Sequence, residues 1–344
     1  MADQSLHARM GNLPTFEELS QRPGLPKGCT WGLWDKEGAR DELGTLNLLT
    51  PETVKEAATE VREGISVSLK SATHCGPCWP LDKPSIPVFH RQQLRHTIID
   101  NSQFSSSASF DDALSLNTQS GSQWDGLRHV IHREANALYN GFTKEEIVGP
   151  DATNVLGINR WHERGGIVGR GVLIDYVAYA ERHKITYSAT KYHAISHLDL
   201  EQAAREQGVS FKQGDVLLVR SGVTKWYNEC ANPDERDAFF TNDSDKSSVG
   251  VAPTPEAIAW VWNHHFSAVA GDALAWEPIP YPSDAPSFHQ YLLALWGTPI
   301  GELWDLEKLA ETCAKLGRYS FFFTSIPLNV PGGVASPPNA VAVF

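Results

Sequence analysis

The chain has 344 residues, 41% of them hydrophobic, which is ample for a packed core, and a formal charge of −12 that offers no basic face to nucleic acid or anionic lipid. Its N-terminal stretch MADQSLHARMGNLPTFEELS lacks the apolar centre of a secretion signal, and no later run approaches the roughly 20 apolar residues of a membrane span. The expectation is a cytoplasmic globular protein that works on a small molecule, with neither nucleic acid nor membrane as a partner.

In chain order, Pro51 to Arg62 reads as a helix, with Thr50 as N-cap, Pro51 at the first helical position and Gly64 beyond its end. ISVSL (65–69) follows as a strand. The stretch HCGPCWP then spells the C-G-P-C spacing of a redox centre, which needs its first thiol at a helix N-terminus. Cys78 runs instead into Trp79-Pro80-Leu81-Asp82-Lys83-Pro84, which cannot continue a helix, so a proline-rich loop is expected. With Cys29, Cys75, Cys78, Cys230 and Cys313 the cysteine count is odd, which argues against a disulfide scaffold.

Further apolar runs of strand length are RQQLRHTIID, GRGVLIDY, GDVLLVRSG, AVAGDA and RYSFFFTSIPL. Helical patterns lie between several of them, at Asp199–Gln207, Pro253–Asn263, Phe288–Trp296 and Leu303–Leu316. Strands cluster rather than alternating one per helix, and there is no repeat, low-complexity tract or linker. A single α/β domain with a substantial, partly antiparallel sheet is the expected fold.

Among the thirteen histidines, His193 and His197 have chelating spacing only on a helix, and their surroundings read as a short strand or turn before a helix capped by Asp199. His264 and His265 follow a helix, where its C-terminal dipole suits them. His129 and His132 differ, because they closely follow Asp125 in a Gly-rich polar segment able to present side chains to a cleft.

The stretch Gln119-Ser120-Gly121-Ser122-Gln123-Trp124-Asp125-Gly126-Leu127-Arg128-His129 resembles a divergent form of H-x-G-T-H-x-D-x-P-x-H, the signature of the cyclase-like family that includes bacterial kynurenine formamidases and isatin hydrolases. ISVSL, GDVLLVRSG, AVAGDALAWE, SFHQYLLALWGTPIGELWDLEKL and FFFTSIPLNVPGGVASPPNAVAVF extend the resemblance over Gly44 to Phe344. It implies a cyclase-like catalytic domain over 44–344 behind an N-terminal arm of residues 1–43. The implied fold is α/β, a single domain with a mixed, largely antiparallel barrel-like sheet flanked by helices, of the swivelling β/β/α type.

By the same resemblance, Gln119, Gln123 and Asp125 stand at metal-binding positions, His129 at the acid–base position, and His289 and Glu302 complete the cluster. Two expected histidines are glutamines, whose carboxamide oxygen is a poor ligand for zinc or manganese. Asp125, His289 and Glu302 remain, enough for one divalent ion with an open position for water, and His129 would move the proton during attack on an amide, lactam or ester. A second reading needs no metal: Gln119, Gln123, Asp125 and His129 would grip a phenol, enol or carbonyl for dehydration, isomerisation or ring closure. Trp31, Trp34, Trp124, Trp276 and Trp304 fall in segments that the resemblance sets beside the site, where they would line a cleft for an aromatic or polyketide-like molecule of secondary metabolism. The stretch CTWGLWDKEGARDELGTLNLL would close the pocket, with Asn47 on the substrate, often across a subunit boundary; relatives are commonly dimers or tetramers. The alternative for this stretch is a surface arm packed on the core.

Overall fold

The computed structural model describes residues 13–69, 88–102, 104, 107–242, 246–281 and 286–344. Cys75, Cys78 and the proline-rich stretch after them lie outside the described residues. Thirteen strands are described: β1 (Ser66–Ser68), β2 (Arg95–Asp100), β3 (Phe110–Ser115), β4 (Gln123–Asp125), β5 (Ile167–Asp175), β6 (His193–Ile195), β7 (Val216–Arg220), β8 (Val249–Val251), β9 (Ala268–Gly271), β10 (Ile300–Glu302), β11 (Ser320–Ser325), β12 (Ala335–Ser336) and β13 (Ala340–Val343). Nine of them form one sheet in the order β1-β13-β11-β5-β7-β9-β10-β4-β12. Its centre is parallel, through β5–β7, β7–β9 and β9–β10, and its two flanks are antiparallel. The sheet curls as a half-barrel flanked by helices, so the expected mixed sheet is present.

The parallel centre follows from its sequence. VLLVR of β7 is buried at every residue, as is AVAG of β9, the pattern of a strand covered on both faces. Helices supply the cover. Pro255–Asn263 starts from a Thr254 side chain that caps Ala257 N–H, with Pro255 at the first position, and buries Trp260 and Trp262.

Several boundaries differ from expectation. The helix from Pro51 ends at Ala57 and tightens into a 3₁₀ turn over Ala58–Glu60, because Glu60 turns inward to meet Arg170 and Arg318 at 3.1 Å each. Ser196, not Asp199, caps the helix His197–Glu206. Residues 303–306 are not helical; the last long helix begins at Glu307 after β10 has ended at Glu302. Tyr176, read as the end of a strand, instead opens the helix Tyr176–His183. RHTIID is a strand, but it pairs with β3 as a separate hairpin outside the large sheet. The helix read over Phe288–Trp296 is a π-helix, Gln290–Trp296. Cys29, Cys230 and Cys313 are free thiols. No helix among the described residues is long and apolar enough to cross a membrane.

Residues 13–43 pack on this body. Thr30 Oγ1 and the Trp31 indole donate to Leu295 O and Ala294 O at 2.8 Å each, and Trp262 Nε1 donates to Pro14 O at 2.7 Å. Gly44 closes the seam: its φ is +57°, and a Cβ there would sit 2.1 Å from Gly297 O. A Gly44→Ala variant therefore combines a left-handed backbone with a clash against fixed backbone. We expect it to lose about 1–3 kcal/mol in denaturant unfolding, and unchanged stability would contradict this close approach.

Candidate active site

The motif expected on a polar loop is a loop at both ends, but its centre, Gln123–Asp125, is a buried strand. β4 alternates, so Gln123 and Asp125 share one face while Trp124 takes the other. Antiparallel pairing sets Gln123 directly opposite Glu302 of β10, and Gln123 Nε2 donates to Glu302 Oε2 at 2.7 Å and to Asp125 Oδ1 at 3.1 Å. Gln119 Nε2 donates to the same Asp125 Oδ1 at 2.6 Å. Both glutamine amides thus converge on one carboxylate oxygen, and that of Gln123 serves Glu302 as well.

The other oxygens face inward. Asp125 Oδ2 and Glu302 Oε1 are buried and have no aligned hydrogen-bond donor. His289 Nε2 lies 3.7 Å from the first and 3.1 Å from the second, near both but aligned with neither. His129 Nε2 is 3.8 Å from Asp125 Oδ2, and its side chain, 25% exposed against 0% for Asp125, stands at the open side of the cluster.

Glu277 holds His289 in place. This buried carboxylate accepts from His289 Nδ1 at 2.7 Å, from the backbone N–H of Phe288 at 2.7 Å and of His289 at 3.0 Å, and from Ser287 Oγ at 2.9 Å. A carboxylate on Nδ1 fixes the ring and turns Nε2 toward Asp125 and Glu302, the arrangement by which an outer carboxylate orients a metal-binding imidazole. Arg91 closes the opposite side, with Nη1 donating to Gln119 O at 2.8 Å and Gln123 Oε1 at 3.3 Å.

Charge follows geometry. Burial alone would raise the Asp125 pKa, but His129, His289 and Arg91 outweigh it and hold the carboxyl below its ordinary value. Glu302 lacks that balance: burial and the Asp125 charge push it up to about 7. Burial pulls His129 down, against the Asp125 charge, so its imidazole is neutral at pH 7. Burial would do the same to His289, yet the negative groups around it raise its pKa well above the ordinary value. The cluster as a whole therefore demands positive charge at His289 Nε2, from a proton or from a cation.

The donor set fits a divalent ion. Asp125, His129 and His289 each bring one ligand atom, all within 4.8 Å of one another. That triad has His129 where Glu302 was expected, although Glu302 lies in the same cluster. Two buried carboxylate oxygens without an aligned donor, 3.1 and 3.7 Å from an imidazole nitrogen, can serve a zinc or manganese ion as they can serve an imidazolium.

The tryptophans are elsewhere. Trp124 is fully buried, donates to Ser325 Oγ at 2.9 Å and packs edge-on against Trp304 and Trp161, behind the strand from Asp125. Trp304 donates to Gln123 O, and Trp276 to Ala270 O, both buried. These three support the site from the core side, because strand alternation and the loop turns direct their rings into the sheet. Trp34 and Asn47 line a separate cavity of about 410 Å³ that includes none of the cluster residues, and Asn47 Nδ2 is bonded to Asp41 Oδ1 and Gly44 O. Trp31 donates to Ala294 O of the π-helix that follows His289. The structure thus does not bring these five tryptophans and Asn47 together with Asp125.

Sequence reasoning passed over Glu277 and Arg91, and also Tyr281, whose ring lies 6.1 Å from that of His289. Glu277 ends the stretch AVAGDALAWE, but nothing local in it announces a turn back to His289. Three other histidines have ordinary roles: His193 meets Tyr176 Oη at 2.8 Å, His132 Nδ1 accepts from Ala135 N–H, and His264 Nδ1 lies 2.8 Å from Trp260 O at a helix end.

A family model described as putative cyclase matches residues 43–278. A crystal structure described as a novel cyclase is 30% identical, with a TM-score of 0.76 over 92% of this chain and 99% of that one. An isatin hydrolase bound to the product analogue thioisatinate is 16% identical, with a TM-score of 0.52 over 84% of this chain and 95% of that one, a likeness of fold. No curated protein matches the chain.

Removing Glu277 leaves an imidazole N–H and two backbone N–H groups without their buried acceptor. We expect Glu277→Ala to cost about 3 kcal/mol in chemical unfolding, against less for the exposed Glu311→Ala as a control; equal, small losses would show that Glu277 does not hold His289.

Proposed function

This chain belongs to the putative cyclase family, and from that premise we propose that it is an enzyme performing metal-assisted hydrolysis of an amide, lactam or ester in an aromatic or polyketide-like small molecule. The observation that carries the reading is the pair of buried oxygens, Asp125 Oδ2 and Glu302 Oε1, that lack donors beside His289 Nε2. Asp125, His289 and Glu302 would hold one zinc or manganese ion, leaving His129 for proton transfer. A bound ion of this kind lowers the pKa of water and polarises a carbonyl.

The remaining work falls to the chain's own groups. His129, neutral at pH 7 and on the open side of the cluster, accepts a proton from the attacking water and returns it to the departing nitrogen or oxygen. Gln119 and Gln123 donate to Asp125 Oδ1, which leaves Oδ2 turned inward. Glu277 keeps the His289 ring from rotating.

The same glutamines favour a second reading. Both amides stand where the family motif has histidines, and a site stripped of two imidazole ligands suits metal-free proton transfer by His129 and Asp125, as in dehydration, isomerisation or ring closure.

One experiment separates the two: turnover of small aromatic amides, lactams and esters by the purified chain, with and without a chelator. Hydrolysis lost on chelation and restored by zinc or manganese is the expected result, and His129→Ala should lower kcat/KM roughly 10²–10⁴-fold with the ion content unchanged. Hydrolysis that survives chelation would remove the ion from the mechanism, and no hydrolysis, with dehydration or ring closure that a chelator leaves unchanged, would replace the hydrolase with the metal-free lyase or cyclase.

A further inference from the structure

Arg91, half-buried, is anchored at one nitrogen and open at the other two. Its Nη1 donates to Gln119 O at 2.8 Å and to Gln123 Oε1 at 3.3 Å. Among the described residues, Nε and Nη2 have no partner and the guanidinium has no carboxylate. Arginines elsewhere in the fold are spent. Arg220 holds Asp175 and both oxygens of Glu307, and Arg128 gives Nε, Nη1 and Nη2 to the carbonyls of Val155, Gly332 and Thr153. What Arg91 keeps open is the pair of parallel N–H groups on Nε and Nη2, the fork that matches both oxygens of a carboxylate.

This fork stands beside the cluster. Gln123 Oε1 accepts from Arg91 while its Nε2 donates to Asp125 Oδ1, so the width of one carboxamide separates the guanidinium from Asp125. Its charge lowers the proton affinity of Asp125, His129 and Glu302 alike. Arg91 Cζ also lies 5.2 Å from the ring centroid of Phe89, and Lys246 Nζ lies 4.4 Å from the same ring, which is 43% exposed. An open aromatic face with two cations beside it is a surface for a planar anion. Phe89 and His90 both have left-handed backbone, with φ of +59° and +53°. Residues other than glycine rarely take that conformation, and two in succession directly before Arg91 mark a segment held in shape by its surroundings, as ligand clamps are.

We propose that Arg91 is a substrate-binding residue and that the substrate is an aromatic acid, whose carboxylate takes the Nε–Nη2 fork and whose ring lies along Phe89. Its amide, lactam or ester carbonyl then reaches Asp125 and His129, a part of the inference that rests on the hydrolytic reading of the cluster. The spacing limits the molecule: one carboxamide's width between fork and cluster places the carboxylate a few atoms from the scissile carbonyl, as on adjacent carbons of a ring. Neutral Gln119 and Gln123 stand between that carboxylate and Asp125, which keeps the like charges apart. A neutral analogue would leave the fork without its acceptor, so the pocket discriminates by charge as well as by shape.

Calorimetric titration of the purified full chain with phthalamate, a benzamide carrying a carboxylate on the adjacent carbon, and with its neutral match phthalamide tests this. Phthalamate is expected to bind roughly tenfold more tightly or better, the worth of a charge-assisted pair. Arg91→Gln should bring the two affinities together, and Arg91→Lys, which keeps the charge without the fork, should leave an intermediate preference. The same titrations with a chelator present tell the guanidinium from a bound ion as the holder of the carboxylate. A preference that persists under chelation and disappears in Arg91→Gln supports the proposal; it does so even where the chain hydrolyses neither compound, a result that counts against the hydrolase alone. Equal affinities in the wild type, a preference lost on chelation but kept in Arg91→Gln, or a parallel weakening of both compounds in the Arg91 variants would overturn it and leave Arg91 a structural tie between Gln119 and Gln123.

Discussion

A carboxylate taken out of water must find donors or positive charge, and burying it alone is among the most costly events in folding. Here three such groups, Asp125, Glu277 and Glu302, are buried within reach of one imidazole. Glu277 is fully satisfied by four donors. Asp125 and Glu302 are each satisfied on one oxygen, by glutamine amides, and left open on the other. The register of β4 on β10 creates this asymmetry, since it sets Gln123 opposite Glu302 and places Asp125 two residues along the same face. The curled sheet, the π-helix after His289 and the arm laced to that helix all serve to hold this half-satisfied cluster in one geometry.

Much of this was legible in the sequence, for identifiable reasons. Strands such as VLLVR and AVAG have too few polar residues to lie anywhere but a covered sheet, and Thr254-Pro255 writes a helix start in two residues. Asp125, His289 and Glu302, widely separated along the chain, could be grouped only because the motif around Asp125 resembles a family in which they meet. What escaped notice depends on tertiary position. Whether Trp124 faces substrate or core is decided by strand parity, and a segment read as loop has no parity; the structure turns it to Trp304 and Trp161. Glu277 matters because its loop turns back onto residues 287–289, a contact with no local signature. Likewise the run RQQLRHTIID has strand composition, but composition does not say whether a strand joins the main sheet or leaves it as a hairpin.

The two glutamines give the site its individual character. A histidine at either position would bring a ligand nitrogen; a glutamine amide brings N–H groups, and both amides are used to neutralise one Asp125 oxygen while Arg91 supplies the nearby cation. The effect is to divide Asp125 into a structural oxygen and a functional one. That division is compatible with a single ion held by fewer ligands, and it makes a full two-ion cluster chemically poor.

Asp125 Oδ2, Glu302 Oε1 and His289 Nε2 are the atoms proposed to hold a cation. Anomalous diffraction from crystals grown with manganese or zinc, collected at the absorption edge of the metal, tests this most directly. One peak per chain is expected within coordination distance of those three atoms, on the order of 2.0–2.3 Å. A well-ordered site with no anomalous peak, and His289 Nε2 in direct hydrogen bonds to Asp125 and Glu302, would contradict it and make the imidazolium the resident charge.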